Sequence, residues 1–460
     1  MPSLPNLLHD LKDYIFRSRQ GIKDLVVSMA SSLATASLGL ITSVLVARSL
    51  GPREMGRYAL VLSVSTAVLS LSNLGINQTA IRFAAMAVAR DDTSGQMAVL
   101  RWAFRLRVLI VLGLCGLTFA IAPYISLHLW HDTNLAYLIR ISMLTCVFSA
   151  VGSIPTIYFQ SVRLFTMNAV VVVSQSLVSI LGIALIAANR EWSIERVVQV
   201  SVVSTGLGAF AFLLLVPYES FIDWRELKQP WSRLLEGIWR VPGEEQKKLA
   251  SHLDPTSPQM FGFYLLLSSV ICTLLISADV WMMGNFVDKN QIGLYSVAMR
   301  LTGPLVIALG ALNTVLWPRA SGLTSAHEIR IQLGRTIRLG ALAAIGCSIY
   351  SIFGPLAISF LFGPAYRNSV FLSQLLCIRY SIAIFTGSVG VIGYSFGMAR
   401  RYWWINSLQL ATVLFVNYLL LPRIGVIGAA IALILSEVIG LSLVGSFIWN
   451  RYKHLEERHA

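Results

Sequence analysis

Apolar residues run along this chain in blocks of about twenty, each closed by a short cluster of charged or polar positions. Twelve such windows are predicted, near residues 25 to 47, 58 to 81, 108 to 127, 134 to 159, 164 to 188, 197 to 216, 259 to 287, 292 to 318, 339 to 361, 370 to 396, 402 to 422 and 424 to 450. Within the windows apolar positions are continuous, whereas strands of a membrane barrel would alternate apolar with polar. A bilayer offers backbone amides no water, so such spans are helices that satisfy their own hydrogen bonds. The pattern therefore predicts an all-α, polytopic membrane protein with twelve transmembrane helices. Composition agrees, with 56% hydrophobic and only 13% charged residues, about half the charged share of an ordinary soluble domain.

Residues 1–24 differ from the spans. Leu4, Leu7, Leu8, Leu11, Tyr14 and Ile15 recur at helical spacing beside Lys12, Arg17, Arg19 and Lys23. This reads as an amphipathic interfacial helix and not as a cleaved signal. The five cysteines (Cys115, Cys146, Cys272, Cys347, Cys377) all fall inside predicted spans, where they serve as small apolar packing residues. No disulfide, metal site or cofactor is expected.

The basic residues give an orientation. With the N-terminus inside, the inner segments hold 25 Lys and Arg, the outer loops 8 and the spans 3. That bias places both termini in the cytoplasm. The net charge of +14 is thus first a topology signal and second an attraction to anionic inner-leaflet lipid. Nucleic acid is not an expected partner, because the charges are dispersed over many short loops and form no single stripe.

The chain divides once, at the hydrophilic stretch 218–258. In it Trp231, Leu234, Leu235, Ile238 and Trp239 lie on one helical face, with Arg233, Glu236 and Arg240 on others. A helix lying flat on the inner leaflet fits this pattern, and a solvated linker is the alternative. The stretch joins an N-lobe (25–217) to a C-lobe (259–450), followed by a cytoplasmic tail (451–460).

The two lobes are related by an internal repeat. Residues Gly51 to Arg82 recur in diverged form 237 positions later, pairing Gly56 with Gly293, Tyr58 with Tyr295 and Arg82 with Arg319; Arg101 pairs with Arg338 at the same offset. Arg163 and Asn168 recur as Arg401 and Asn406, with the offset grown by one. Six spans per lobe return the chain to its starting side, so the repeats are parallel about an axis normal to the bilayer. Such lobes enclose a cleft at mid-membrane suited to alternating access.

The segments LVARSLGPREMGRYALVLSV and SNLGINQTAIRF, with ISADVWMMGNF and GLYSVAMRLTGPLVIALGALNTVLWPRAS in the second lobe, resemble the polysaccharide transporter family, the Wzx-type flippases of lipid-linked oligosaccharides. They also resemble relatives that flip a lipid-linked peptidoglycan precursor; the superfamily includes the MATE multidrug antiporters. The resemblance implies a flippase of the bacterial inner membrane. Its cargo would be a polyprenyl diphosphate carrying a short oligosaccharide, bound for O-antigen, capsule or exopolysaccharide. It also implies a polysaccharide polymerase and a chain-length regulator as partners.

Charge inside the spans bears on the cargo. A central Arg or Lys costs about 2.5 to 3.5 kcal/mol on insertion scales, so it normally faces a cavity or a partner. Arg140, Arg300 and Arg379 are the span cations, against Asp279 and Glu437. The excess is positive, and a guanidinium fork matches phosphate oxygens, so an anionic head group is the expected cargo. Arg300 ranks first, because the resemblance implies a cavity arginine there. It is followed by Gly303 and Pro304, a kink and gating candidate. The alternative is that these arginines snorkel, or pair with Asp279, Glu437 or helix-end carbonyls. Asp279 is either a coupling-ion or proton site or a salt-bridge partner of Arg300; Glu437 either faces the lumen or packs helices.

Asn77, Gln78, Asn313 and Asn168 suit sugar contacts, although such groups more often form helix-to-helix hydrogen bonds. The aromatics Tyr402, Trp403 and Trp404, and His128, Trp130 and His131, read as an interfacial belt. An inside-negative potential is worth about 2.3 kcal/mol per charge per 100 mV and favours outward movement of a diphosphate; exchange against H⁺ or Na⁺ at an intramembrane acid is the rival. A MATE-like cation exporter would want a cavity rich in carboxylates, and a polymerase or ligase would want a large outer loop, so both are secondary. No enzymatic motif stands out.

Overall fold

The computed structural model describes residues 4–189, 192–217, 258–306, 326–395 and 399–457. The described elements are helical: α1 Leu4–Asn73, α2 Ile76–Val88, α3 Thr93–Tyr124 running into a π-turn at Ile125–Leu129, α4 Asn134–Ser161, α5 Phe165–Ala188, α6 Ile194–Leu214, α7 Pro258–Phe286, α8 Lys289–Leu301, α9 Ala326–Leu361, a 3-10 turn at Pro364–Tyr366, α10 Ser369–Ser395, α11 Ala399–Ile424 and α12 Val426–Glu457.

Ten stretches among the described residues are long and apolar enough to cross a membrane. The first, Val26–Val88, carries the first two predicted windows. α1 runs through both, with a kink at Gly51, where φ is +75°. Gly accepts that conformation without a Cβ clash, and Pro52, lacking an N–H, opens the second arm. The second arm ends at a two-residue break: Leu74 (φ 36°) and Gly75 (φ 79°) precede α2. The SNLGINQ segment thus interrupts the second window. The eighth window begins in α8, which ends at Leu301, resumes as helix over 303–306 after a turn at Thr302 and then leaves the described residues. The predicted amphipathic helix at 231–239 and Asn313 also lie outside them.

Most packing is within α1 to α6 or within α7 to α12; α8 is the exception, packing chiefly on α1, and with α7 it forms the main seam between the groups. Small residues allow the backbones to meet there. A Cβ on Gly56 would overlap the Lys289 carbonyl, and a Cβ on Gly293 would overlap the Pro52 carbonyl. One buried cluster crosses the seam, joining Met55 and Leu60 to Met283, Ile292 and Tyr295. Outward faces are apolar instead: Leu185, Leu214, Ile352 and Phe360 are all strongly exposed. Water would penalise such a surface and a bilayer would not. The chain is a multi-pass membrane protein.

Candidate functional site

The predicted charges separate into three settings. In the first, Arg300 occupies the last turn of α8, where the negative end of the helix dipole favours a cation. α8 stops because Pro304, just beyond, cannot continue the ladder; Thr302 caps it, and the Leu301 carbonyl accepts instead from the Tyr350 hydroxyl. Helix resumes at Gly303 directly after the Thr302 turn and is described to Val306, so Gly303 and Pro304 sit just past the break. From this position the half-buried Arg300 reaches across the seam, its guanidinium carbon 5.7 Å from the centre of the Tyr58 ring on α1. Tyr366 lies within electrostatic range of Arg300 and donates to the Ala47 carbonyl at 2.8 Å. Among the described residues no carboxylate forms an ion pair with Arg300.

The second setting is interior to α7, α8, α10 and α12. Asp279 is 1% exposed and accepts from the Tyr295 hydroxyl and from the Val280 amide at 2.8 Å. Arg379 pairs with Glu437 at 3.7 Å and stands over the Tyr380 ring at 4.9 Å. Asp279 and Tyr295 lie within electrostatic range of Arg379. Its Nε is buried without a hydrogen-bond partner among the described residues. The fold thus brings Asp279, Arg379 and Glu437 together, and Asp279 takes Tyr295, not Arg300, as its direct partner.

Arg140 occupies a third setting. It donates to the Phe119 carbonyl at 3.3 Å and its guanidinium stacks on the Phe119 ring at 4.5 Å, so its recorded contacts tie α4 to α3.

The uncharged candidates divide as well. Asn77 accepts from Arg107, whereas Gln78 is exposed. Asn168 holds a buried Oδ1 with no partner among the described residues. Its counterpart Asn406 donates to Ser268 at 2.7 Å, linking α11 to α7.

Three residues depart from expectation. Arg107 is a further cation inside the membrane-length stretch Thr93–Leu129, 6% exposed. The third window had begun after it, because Arg101, Arg105 and Arg107 depress local hydropathy. Trp130 is no belt residue: it is 2% exposed, donates to the Trp281 carbonyl at 3.2 Å and fills the space a Cβ on Gly284 would take. Tyr402 is buried too, donating to the Gly390 carbonyl at 2.7 Å, whereas Trp404, His128 and His131 are exposed.

Contacts across the seam gather on the side opposite the N-terminus. Arg48 donates to the Leu361 carbonyl at 2.6 Å and to the Phe360 carbonyl, closing the end of α9. Lys289 donates to the Trp130 carbonyl at 2.5 Å; beside it, within the first helix group, Arg57 pairs with Asp132 at 2.7 Å and Glu54 at 2.9 Å. Burial lowers the Lys289 ammonium below its usual range, opposed by Asp132 and Asp288.

Residues 22–324 match the family model described as polysaccharide biosynthesis protein. The chain belongs to that family. Among curated relatives it is similar to the probable flippase AglR of Haloferax volcanii, 26% identical over 35% of this chain and 35% of the relative. It is also similar to a putative O-antigen transporter of Shigella flexneri, 22% identical over 37% of this chain and 42% of the relative. These matches span well under two thirds of either relative. In fold it is similar to an inward-facing multidrug resistance MATE family transporter of the MOP superfamily, with TM-score 0.68 and 12% identity over 95% of this chain and 99% of that one. Similarity to the lipid II flippase MurJ in an inward closed conformation is nearly as high, with TM-score 0.67 and 13% identity over 92% of this chain and 87% of that one.

Proposed function

We propose that this member of the family is a flippase for a polyprenyl-diphosphate-linked oligosaccharide, moving it across the bacterial inner membrane by alternating access between two six-span lobes. The observation that carries the reading is Arg300: a membrane-embedded guanidinium at the lobe seam whose described partner is an aromatic ring and not a carboxylate. A cation so held keeps its charge for a diphosphate oxygen while the ring offsets part of its desolvation. Membership of the family and the partial similarity to a flippase and an O-antigen transporter support the same cargo class.

In this reading the seam contacts form the outer gate, and the chain is closed on that side and faces inward. The reciprocal approach of Gly56 and Gly293 supports a parallel duplication with its axis at the seam. The Arg379–Glu437 pair and buried Asp279 supply a second polar centre, with Asp279 the candidate for proton or cation coupling and the Arg379 Nε a further donor for cargo. Arg140 is assigned to holding α3 on α4 and not to cargo. A MATE-like cation exporter shares the fold, but Arg300, Arg379 and Arg107 outnumber Asp279 and Glu437 in the interior, which favours an anion.

The test is transport in proteoliposomes with a fluorescent polyprenyl-diphosphate oligosaccharide, under an inside-negative potential and without an ion gradient. Flipping that stops with Arg300→Glu is the expected result. Flipping unaffected by that reversal removes Arg300 from the cargo path, and efflux of cationic dyes without lipid flipping overturns the reading.

A further inference from the structure

Two cavities flank the connection after α3, beside the seam on the side opposite the N-terminus. One is an apolar groove of about 500 Å³, walled by Val68 and Leu71 of α1, Leu117 and Ile121 of α3, and Trp281 and Phe286 of α7. No charged residue lines it. Leu117 and Ile121 are exposed on the outer surface of α3, so the groove opens sideways to the bilayer between the two helix groups. The second cavity, also about 500 Å³, is lined by Arg53, Arg57, His131 and Lys289 with Asp132 and Asp288.

The connection after α3 divides the two. Ile125, Leu129 and Trp130 face the groove, while Leu127 and His131 face the polar pocket. A π-turn over Ile125–Leu129 inserts extra chain at this point, a feature often found at functional sites. Lys289 donates to the carbonyl of Trp130 at 2.5 Å, so the wall between the cavities is itself tied to the basic pocket. In the groove wall, the Trp281 Nε1 is buried with no hydrogen-bond partner among the described residues.

An apolar groove open to a bilayer takes a hydrocarbon chain, and a cationic pocket at its outer end selects an anionic head. Arg57 is committed to Asp132 and Glu54, whereas Arg53 is exposed at the pocket and available to a phosphate. We infer that the groove holds the isoprenoid chain of the translocated lipid on the side opposite the N-terminus, with its phosphate group at the Arg53 and Lys289 pocket. This rests on the flippase reading and adds to it a lateral seat for the tail, between α1, α3 and α7. None of the intramembrane charges Arg300, Arg379, Asp279 or Glu437 lines either cavity. The seat is therefore distinct from the candidate head-group path and lies against the seam that must part during transport.

The experiment uses the full chain in proteoliposomes with a polyprenyl phosphate carrying a diazirine on its terminal isoprene, and maps the adduct by mass spectrometry. Transport of the oligosaccharide-linked lipid is measured in the same vesicles. Adducts within residues 114–125 or 281–286 are expected, competed by unlabelled polyprenyl phosphate and not by phosphatidylglycerol. Thr118→Phe, which fills the groove from its partly exposed wall, is expected to reduce labelling about tenfold, and Arg53→Glu a further few-fold, on the usual scale of one lost charged contact. Equal competition by phosphatidylglycerol, or adducts spread evenly over the lipid faces of α5 and α9, means annular lipid and overturns the inference. Transport without groove labelling overturns it while leaving the flippase reading intact; neither transport nor labelling overturns both.

Discussion

Gly56 and Gly293 meet back to back across the seam, each with its Cβ direction aimed at the carbonyl of the residue four positions before the other. The hypothetical Cβ of Gly56 lies 3.0 Å from the Gly293 nitrogen and that of Gly293 lies 3.1 Å from the Gly56 nitrogen. The contact is therefore reciprocal, each glycine leaving room for the other helix's backbone.

The close approach makes a prediction about the two glycines. Gly56→Ala and Gly293→Ala are each expected to destabilise the chain by about 1 to 3 kcal/mol, the usual cost of overpacking. The two losses should be nearly equal and their sum should exceed that of the double variant, because one separation of α1 from α8 relieves both clashes. Thermal unfolding in detergent measures this; a neutral result at either position would contradict the close approach.

Arg300 and Tyr58 differ in what each contributes. Arg300→Ala is expected to lower lipid transport by at least about tenfold, equivalent to losing one charge-assisted contact of about 1.4 kcal/mol or more. Tyr58→Phe keeps the ring and should leave transport within about twofold, whereas Tyr58→Leu removes a cation–π contact worth about 0.5 to 2 kcal/mol. Initial rates in proteoliposomes separate the three.

Tyr295→Phe deprives the buried Asp279 carboxyl of its hydroxyl donor. The expected cost is about 1 to 3 kcal/mol of stability, the penalty for a buried acceptor left short of a partner. Adding Asp279→Asn to Tyr295→Phe should recover part of it, since the remaining group carries no charge. A double-mutant cycle on unfolding midpoints reads the coupling.

For Arg379 and Glu437 the distinction is between losing one charge and losing both. Arg379→Gln alone strands an acid in a half-dry site and is expected to cost about 3 kcal/mol, while the Arg379→Gln, Glu437→Gln pair should cost less. If the single variants are no worse than the double, the 3.7 Å pair holds no coupling energy.

Lys289 gives the seam a pH dependence whose sign follows from burial. Its folded value is pushed below the usual 10.5, first by desolvation, so the unfolded chain binds more protons between the two values. Stability therefore rises with pH through that alkaline window and is flat well below it. Lys289→Gln is expected to remove this rise, measured as the difference in unfolding midpoint between neutral and alkaline buffers.

Much of the scaffold could be read from local pattern. Long apolar windows located most of the membrane-length helices, whereas the kink at Gly51 and the break at Leu74 and Gly75 rest on positive φ values that a hydropathy window does not register. Arg107 escaped the same reading. Its neighbours Arg101 and Arg105 lowered the window average, although the residue lies deep enough to be 6% exposed.

By itself, the sequence determined the membrane solvent and the helical class, and it offered a repeat as an expectation. Each depends only on composition, window length or a fixed offset along the chain. Tertiary structure alone decided the partners. Tyr366 binds the Ala47 carbonyl across 319 positions, Arg48 caps a helix 313 positions away, and Trp130 leaves the membrane interface to plug the seam against Trp281. Tyr58 and Tyr295 are equivalents in sequence, yet one receives the Arg300 cation and the other donates to the Asp279 carboxyl. Hydropathy says how deep a side chain lies; which group it meets depends on how distant helices pack, and no local pattern carries that information.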